Sequence, residues 1–281
     1  MDVLKNINGH WLAHLYNNQN RLRACHTVNS WYCLTYRRVA SVNETRRTIH
    51  FSKKNEAMKN IFLVRHGQAS AGTDNYDRLS TLGIRQAVLL GEFWRRNGFR
   101  IDEAFSGSLE RQQDTASLAM ADLAICPEIK TIDALNEYDH TIIDRLFSEG
   151  ITSDTALNLQ FEQYLSIMQR WRDAERVPAE AESWQTFAQR GWQSVESEAA
   201  STDASSLVFF TSGGIIATIL KQLLDLNFKQ TMHAIWQTRN TSVTHLRIDE
   251  TDTSENNACL VDYNTIAHLQ LHHDKTLITQ I

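Results

Sequence analysis

From about residue 60 onward, short apolar segments alternate with segments of helical periodicity, and this alternation restricts the fold more than any other feature. Residues 60–65 (NIFLVR) and 207–211 (LVFFT) are continuous apolar runs, as in strands that are buried on both faces. Helical spacing of apolar residues follows both runs, over 80–96 and 215–224. A chain that alternates strands and helices in this way forms a sheet flanked by helices, so the sequence predicts an α/β fold.

Further elements of both kinds continue the pattern. Ser80 is the predicted N-cap of the helix at 80–96, and Gly98 is a natural stop after it. Additional strands are predicted over 103–106, 128–132, 242–248 and 258–263, and additional helices over 109–123, 182–198 and 229–238.

Residues 141–200 are almost wholly helical in pattern. One apolar stripe in this region consists of Leu157, Phe161, Tyr164, Leu165, Met168 and Trp171. Such a stripe is typical of core or lid packing and not of a cofactor site. We therefore expect a helical cap insertion at about 141–200, within a catalytic domain that spans 58–281.

Residues 1–57 differ in composition from the rest of the chain. They hold nine lysines and arginines against three acidic residues, whereas the whole chain has a formal net charge of −5. They show no sustained helical or strand period, so we expect an N-terminal extension that is disordered or not part of the fold. A basic arm can contact nucleic acid, but an unselected leader explains the charge equally well, and nucleic-acid binding is not expected.

The location of the protein is predicted from two observations. No run of about 18 apolar residues appears, so no membrane-spanning helix is expected. The four cysteines, at positions 25, 33, 126 and 259, have neither metal-type spacing nor the pattern of a disulfide framework. We expect a cytoplasmic protein.

Polar residues follow three of the predicted strands. They are Arg65-His66-Gly67-Gln68, Ser106-Gly107-Ser108 with Arg111, and Thr211-Ser212-Gly213-Gly214. Ligands of open sheets bind beyond the carboxyl ends of the strands, and guanidinium groups and helix N-termini both attract phosphate. Each feature alone is more often a polar strand boundary, a solvated helix residue or a tight connection. Together they predict a phosphate pocket that contains a histidine.

The segment at 62–68 (FLVRHGQ) resembles the Arg-His-Gly signature of the histidine phosphatase superfamily, phosphoglycerate mutase-like branch. Further segments resemble motifs of this family in the expected order, at 79–87, 106–116, 135–137, 182–190 and 240–243. The resemblance covers about residues 59–250. It implies a three-layer α/β/α sandwich with a mostly parallel central sheet, and a phosphatase that requires neither a metal nor a cofactor.

The resemblance also implies a covalent phosphohistidine intermediate on His66. Neutral imidazole is nucleophilic near pH 7 because its ordinary pKa is about 6.5. One ring nitrogen would attack phosphorus while the other donates its N–H to a backbone carbonyl. Arg65 and Arg111 would bind the phosphoryl oxygens, where most catalysis of phosphoryl transfer arises. Glu137 would protonate the leaving alkoxide and then deprotonate the water that hydrolyses the intermediate.

The chain departs from the family pattern at two positions. Most members carry a second histidine just after the late buried strand, where this chain has Ser212. Serine can donate one hydrogen bond but carries no positive charge, and the loss of one preorganised donor costs about 3–4 kcal/mol of transition-state stabilisation. Gly72 stands where many members have an asparagine that touches phosphate. The resemblance therefore predicts a slow enzyme or a compensating residue.

The predicted substrate-binding residues are Gln68, Ser212, Gly213 and His140. His140 is the candidate for compensation, because it lies three residues after Glu137 and could supply an imidazole that Asp139 orients. The alternative is that His140 is an exposed loop residue.

A phosphatase acting on a small-molecule phosphate ester is the favoured function, and three alternatives stay open. A mutase would retain the phosphoryl group and return it to the substrate. A protein weakened by Ser212 would bind phosphorylated ligands without turnover. A serine hydrolase would use Ser212 as nucleophile, but its Gly-x-Ser-x-Gly elbow requires glycine where Phe210 stands.

Overall fold

The structure is a computed structural model and describes residues 58–70, 76–121, 123, 126–149, 161–252 and 257–280. The predicted N-terminal extension, Gly72 and Leu157 lie outside the described residues.

The described strands form one six-stranded sheet in the order β3-β2-β4-β1-β5-β6. Their bounds are β1 Met58–Arg65, β2 Glu103–Ser106, β3 Ile129–Thr131, β4 Ser206–Thr211, β5 Val243–Asp249 and β6 Ala258–Thr265. The pairs β3–β2, β2–β4 and β4–β1 are parallel, whereas β5 runs antiparallel to both β1 and β6. The predicted mostly parallel sheet is thereby confirmed.

Helices connect the strands and cover the sheet. They are α1 Thr81–Arg96, α2 Glu110–Met120, α3 His140–Phe147, α4 Phe161–Asp173, α5 Trp184–Ala200, α6 Gly213–Leu224, α7 Phe228–Gln237 and the short α8 Ala267–Gln270. Single 3₁₀ turns lie at Asp133–Leu135 and Lys275–Leu277. The predicted N-cap of α1 is present, because the side chain of Ser80 accepts a hydrogen bond from Gly83 N at 3.0 Å. Gly98, just beyond α1, has a positive φ of 63°.

Side chains alternate between the two faces of the sheet and create two cores. On one face, Phe62 and Val64 of β1 pack with α1 and α2. On the other, Ile61 and Leu63 belong to the larger core that includes α5, α6 and α7. Strand β4 alternates in the same way, because central parallel strands are buried on both sides. Helices on both faces make the three-layer α/β/α sandwich that the resemblance implied.

The region 141–200 contains α3, α4 and α5 among its described residues. Leu165, Met168 and Trp171 of the predicted apolar stripe lie in the larger core. The ring of Trp171 packs edge-on against Trp184 at 5.4 Å, so these members of the stripe are packing residues. The predicted role of the region as a cap stays a prediction. No helix among the described residues is both long and apolar enough to cross a membrane.

Candidate active site

The carboxyl ends of neighbouring strands bring the predicted polar segments together. Strands β1 and β4 are parallel, and Arg65 is paired with Thr211 at their ends. The next residues, His66 and Ser212, therefore lie side by side, and the backbone amide of His66 donates to the carbonyl of Thr211 at 2.9 Å. Strand β2 pairs with the other edge of β4 and is followed by α2, which carries Arg111.

The hydrogen bonds of His66 define its tautomer. Its Nδ1 lies 2.7 Å from the carbonyl oxygen of Gly67, which can only accept, so Nδ1 carries the proton. Arg111 Nε lies 3.2 Å from His66 Nε2, and arginine can only donate, so Nε2 keeps its lone pair. Burial, together with the positive charges of Arg111 and Arg65, holds the pKa of His66 well below its usual range, against the opposing effect of the Gly67 bond. The side chain is a neutral imidazole whose Nε2 lone pair accepts the hydrogen bond from Arg111.

Buried hydrogen bonds also fix the backbone around His66. The carbonyl oxygen of His66 accepts from Asn240 Nδ2 at 3.2 Å and from the amide of Thr241 at 3.3 Å. Thr241 adopts a positive φ of 54°, a conformation that is uncommon for a β-branched residue. The amide of Gly67 donates to Thr115 Oγ1 at 2.9 Å. The loop that carries the imidazole is therefore held from α2 and from the segment before β5.

A second set of hydrogen bonds links this loop to the segment 277–279. Gln86 Oε1 accepts from the amide of Gln68 at 2.9 Å. Gln86 Nε2 donates to the carbonyl of Leu277 and to Thr279 Oγ1, each at 2.8 Å. Thr279 Oγ1 in turn donates to Asn240 Oδ1 at 2.8 Å. The carbonyl of His66 and the amide of Gln68 are thus connected through one partly buried hydrogen-bond network.

The two arginines flank His66 and have different partners. Arg111 is almost fully buried, and its Nη1 pairs with Asp77 Oδ1 at 2.5 Å. Arg65 donates from Nη1 to the carbonyl of Thr238, but its buried Nε has no hydrogen-bond partner among the described residues. Burial lowers the pKa of Arg65, and the nearby Glu137 opposes that shift. The unused Nε–H is a donor available to a bound anion.

Glu137 lies at the N-terminus of α6. Its Oε2 accepts from the amide of Gly214 at 2.8 Å. Loss of water around the partly buried carboxyl raises its pKa, and the Gly214 bond and the charges of Arg111 and Arg65 offset only part of that rise. The charges of Arg111 and Arg65 thus act on both Glu137, whose pKa is raised, and His66, whose pKa is lowered.

Ser212 is the N-cap residue of α6, but its side chain makes no capping hydrogen bond. Instead, the fully buried Oγ accepts from Gln112 Nε2 at 2.8 Å. Gly213 follows, and a Cβ built on it would lie 3.6 Å from Arg65 Nε. The predicted residues Ser212 and Gly213 are therefore close to Arg65 and His66.

Among the described residues, the side chains of Gln68 and His140 make no hydrogen bond to His66, and their substrate-binding role stays a prediction. Gln68 Oε1 accepts from the hydroxyl of Ser80 at 2.8 Å and so supports the start of α1. His140 is the exposed first residue of α3, with its ring 4.9 Å from that of Tyr76. Asp139 Oδ1 accepts from the amides of residues 141 and 142, which makes Asp139 the N-cap of α3. No hydrogen bond within the described residues joins His140 to Ser212.

A cavity of about 340 Å³ opens beside this cluster. Its wall includes Tyr76, Asp77, Arg111, Glu137, Tyr138 and His140. His140 is thus a wall residue at the rim, and its role as a compensating imidazole stays a prediction. Within the described part of the chain, no three His, Cys, Asp or Glu side chains are grouped so that they could hold a metal ion.

A sequence model of the histidine phosphatase superfamily (branch 1) matches residues 61–257. The chain belongs to this family. Two curated proteins are similar to this chain. One is the metal-independent phosphoserine phosphatase of Arabidopsis thaliana, 28% identical over 167 residues, which are 57% of the chain and 66% of the relative. The other is the 2,3-bisphosphoglycerate-dependent phosphoglycerate mutase of Methylobacterium sp. (strain 4-46), 30% identical over 126 residues, 42% of the chain and 56% of the relative. The chain spans less than two thirds of either relative.

Solved structures share the fold of this chain. The mycobacterial glucosyl-3-phosphoglycerate phosphatase has a TM-score of 0.54 and 22% identity, over 74% of the chain and 99% of that structure. A phosphoserine phosphatase variant from Entamoeba histolytica, in complex with phosphoserine, has a TM-score of 0.52 and 20% identity, over 75% and 99%. The phosphoglycerate mutase of Bacillus anthracis has a TM-score of 0.53 and 17% identity, over 79% and 100%. At these identities the likeness concerns the fold alone.

Four residues around the cluster were not predicted from the sequence. They are Asp77, Gln112, Asn240 and Thr279, which contact Arg111, Ser212, the His66 carbonyl and Asn240 respectively. Only two of them had a local signal. Gln112 directly follows Arg111, and Asn240 lies in a segment that resembles a family motif.

Proposed function

We propose that this protein hydrolyses small-molecule phosphate monoesters through a phosphohistidine intermediate on His66. The observation that carries the proposal is the tautomer of His66. Its Nδ1 is bonded to the Gly67 carbonyl, so the lone pair on Nε2 is directed toward Arg111. A buried, neutral imidazole with its lone pair beside a guanidinium group is suited to attack a phosphorus atom that the same guanidinium binds.

The first chemical step forms the phosphohistidine. His66 Nε2 attacks phosphorus, the P–O bond to the leaving group breaks, and the leaving alkoxide takes the proton of Glu137. The raised pKa of Glu137 favours its protonated form, which this step needs. Arg111 Nε exchanges its contact with His66 for a phosphoryl oxygen, and the unpaired Nε of Arg65 donates to another.

The second step returns the enzyme to its starting state. The ionised Glu137 takes a proton from water, and the hydroxide attacks the phosphorus of the phosphohistidine. The P–N bond breaks, inorganic phosphate leaves and His66 regains its lone pair. In a mutase, an acceptor hydroxyl on a phosphorylated substrate would take the place of water. One curated relative is a phosphatase and the other is a mutase, so this step is where the two functions divide.

Ser212 stands, in this proposal, where most family members carry their second histidine. Its neutral hydroxyl would give one hydrogen bond to the phosphoryl group and no charge, so turnover would be slow. A protein that only binds phosphorylated ligands is the limiting case of this effect. We also propose that α3, α4 and α5 cover the cavity as a cap, and that residues 1–57 are an extension outside the catalytic domain.

The test compares the full chain with His66→Ala in hydrolysis of an aryl phosphate, without added metal. Replacement of the exposed His272 by alanine is the matched control. We expect loss of activity in His66→Ala alone, with acid-labile phosphohistidine trapped from the wild type only. Activity that survives in His66→Ala would disprove the mechanism. Phosphate binding without turnover in the wild type would support the ligand-binding alternative, and phosphoryl transfer to an added alcohol in preference to water would support the mutase.

A further inference from the structure

Gln112 is a buried polar residue for which the proposed mechanism has no role. It follows Arg111 in α2 and is fully buried. Its Nε2 donates to the carbonyl of Leu135 at 3.1 Å and to Ser212 Oγ at 2.8 Å. Its Oε1 is buried and has no partner among the described residues. A buried amide that leaves one atom unsatisfied carries an energetic cost, which calls for an explanation beyond packing.

These contacts determine which way the hydroxyl hydrogen of Ser212 points. The Leu135 carbonyl can only accept, so the nitrogen of the Gln112 amide must be on that side. Both of its N–H bonds are then used, one on Leu135 and one on Ser212 Oγ. Because Ser212 Oγ accepts from Gln112, its own hydrogen is directed elsewhere. Within the described part of the chain, the hydrogen bond from Gln112 is the one that Ser212 Oγ makes, so the hydroxyl hydrogen has no acceptor there.

Ser212 lies where a donor can reach a phosphoryl group bound at His66. It follows Thr211, the register partner of Arg65, so it lies beside His66. A Cβ built on the neighbouring Gly213 would lie 3.6 Å from Arg65 Nε. Like the Ser212 hydroxyl, this Nε–H is a buried donor without a partner among the described residues. Two unused donors, one neutral and one charged, therefore lie at the same pair of strand ends.

We infer that Gln112 is a positioning residue that holds the Ser212 hydroxyl as a hydrogen-bond donor to the phosphoryl group. The inference rests on the proposed function, because it concerns the same site. Gln112 acts through Ser212 and touches no substrate. The amide also occupies the space next to position 212, so this protein stabilises the phosphoryl oxygens with an amide-oriented hydroxyl. His140, at the rim of the cavity, is not required for this arrangement.

The test is a double-mutant cycle on the full chain. Gln112→Met removes the amide and keeps most of the side-chain volume, and Ser212→Ala removes the donor. The matched control is Gln113→Met, which makes the same change at the next, exposed position of α2. The readouts are the Kd of inorganic phosphate by calorimetry, the kcat and KM for an aryl phosphate, and the thermal unfolding midpoint.

A hydrogen bond to a charged group is worth about 10- to 100-fold, so each single change should weaken phosphate binding and lower kcat/KM by that factor. The double variant should be no weaker than Ser212→Ala alone, since Gln112 acts only through the hydroxyl. Gln113→Met should match the wild type. The inference would be overturned if the effects of the two single changes multiply in the double variant. It would also be overturned by an unchanged phosphate Kd in Gln112→Met.

Two further outcomes keep the test decisive. If Gln112→Met does not fold, Gln112→Leu takes its place. An unchanged phosphate Kd in Ser212→Ala overturns the inference even if neither Gln112 variant folds. Wild-type protein that neither binds phosphate nor hydrolyses an aryl phosphate overturns the proposed function together with this inference. If the wild type is active but the effects of the two single changes multiply in the double variant, this inference is overturned and the proposed function stands.

Discussion

Replacement of Gly214 by alanine should disable proton transfer while leaving the nucleophile in place. The new Cβ would lie 2.1 Å from Glu137 Oε1 and 2.8 Å from Phe187 Cζ, closer than real Cβ contacts allow. Glu137 must therefore retreat by about 1 Å, and a misplacement of that size costs about 100-fold in rate, or about 2.7 kcal/mol. Gly213→Ala adds the same methyl one residue earlier, where its nearest neighbours are at 3.5 and 3.6 Å, and should lose far less.

The assay is the single-turnover rate of phosphohistidine formation from two substrates. An alkyl phosphate needs its leaving group protonated, whereas a nitrophenyl phosphate releases a stable phenolate without help. We expect the loss in Gly214→Ala to fall mainly on the alkyl substrate. In a Glu137→Ala background, the part of the loss that comes from displacing the carboxylate should disappear, and any remaining loss measures the contact with Phe187. Equal losses for both substrates would refute the assignment of Glu137 as the acid.

Three other predictions concern titration, the buried network and the core. Phosphohistidine formation needs His66 neutral and Glu137 protonated. The pKa of His66 is lowered and that of Glu137 is raised, so both conditions can hold at the same pH. The value of kcat/KM for an alkyl phosphate should therefore peak on the acid side of neutrality. Glu137→Gln should abolish the alkaline limb that remains after correction for the substrate's own ionisation; persistence of that limb would assign it to another group. Thr279→Val removes the hydroxyl that bridges to Asn240, so chemical denaturation should show a free energy of unfolding that is lower by about 1–3 kcal/mol. Steady-state kinetics should show that kcat falls by a larger factor than KM rises. Trp171→Ala should cost about 3–5 kcal/mol in chemical denaturation, because the ring is fully buried among aromatic side chains; a smaller loss would mean that its surroundings collapse into the space.

The sequence was sufficient for the features that have a local signal. The runs at 60–65 and 207–211 form β1 and β4, because an unbroken apolar segment is stable only where both faces of a strand are covered. Ser80 caps α1 as expected from residue type alone. The strand-end residues Arg65, His66 and Ser212 lie together because the carboxyl ends of parallel neighbours share one edge of the sheet.

Other features depend on contacts between distant parts of the chain and have no local signal. The turns at 133–135 and 275–277 and the short α8 are too brief to show a period. Thr279 bonds to Gln86 across 193 positions. Gln112 follows Arg111 directly, but its bond to Ser212 spans 100 positions, and no local pattern predicts that contact. The predicted strand at 128–132 is shorter in the structure, Ile129–Thr131, because only these residues pair with β2 at the edge of the sheet.

The strand order has a consequence for the folding of the chain during its synthesis on the ribosome. Strand β4 lies between β1 and β2, so these earlier strands are not neighbours and have no pairing with each other. A growing chain that has not yet reached residues 206–211 leaves both apolar strands with open edges, which are prone to association with other chains. His66 and Arg111 are synthesised long before the strand that brings them together. Under the proposed function, His66 and Arg111 can act together only after strand β4 has been inserted between β1 and β2.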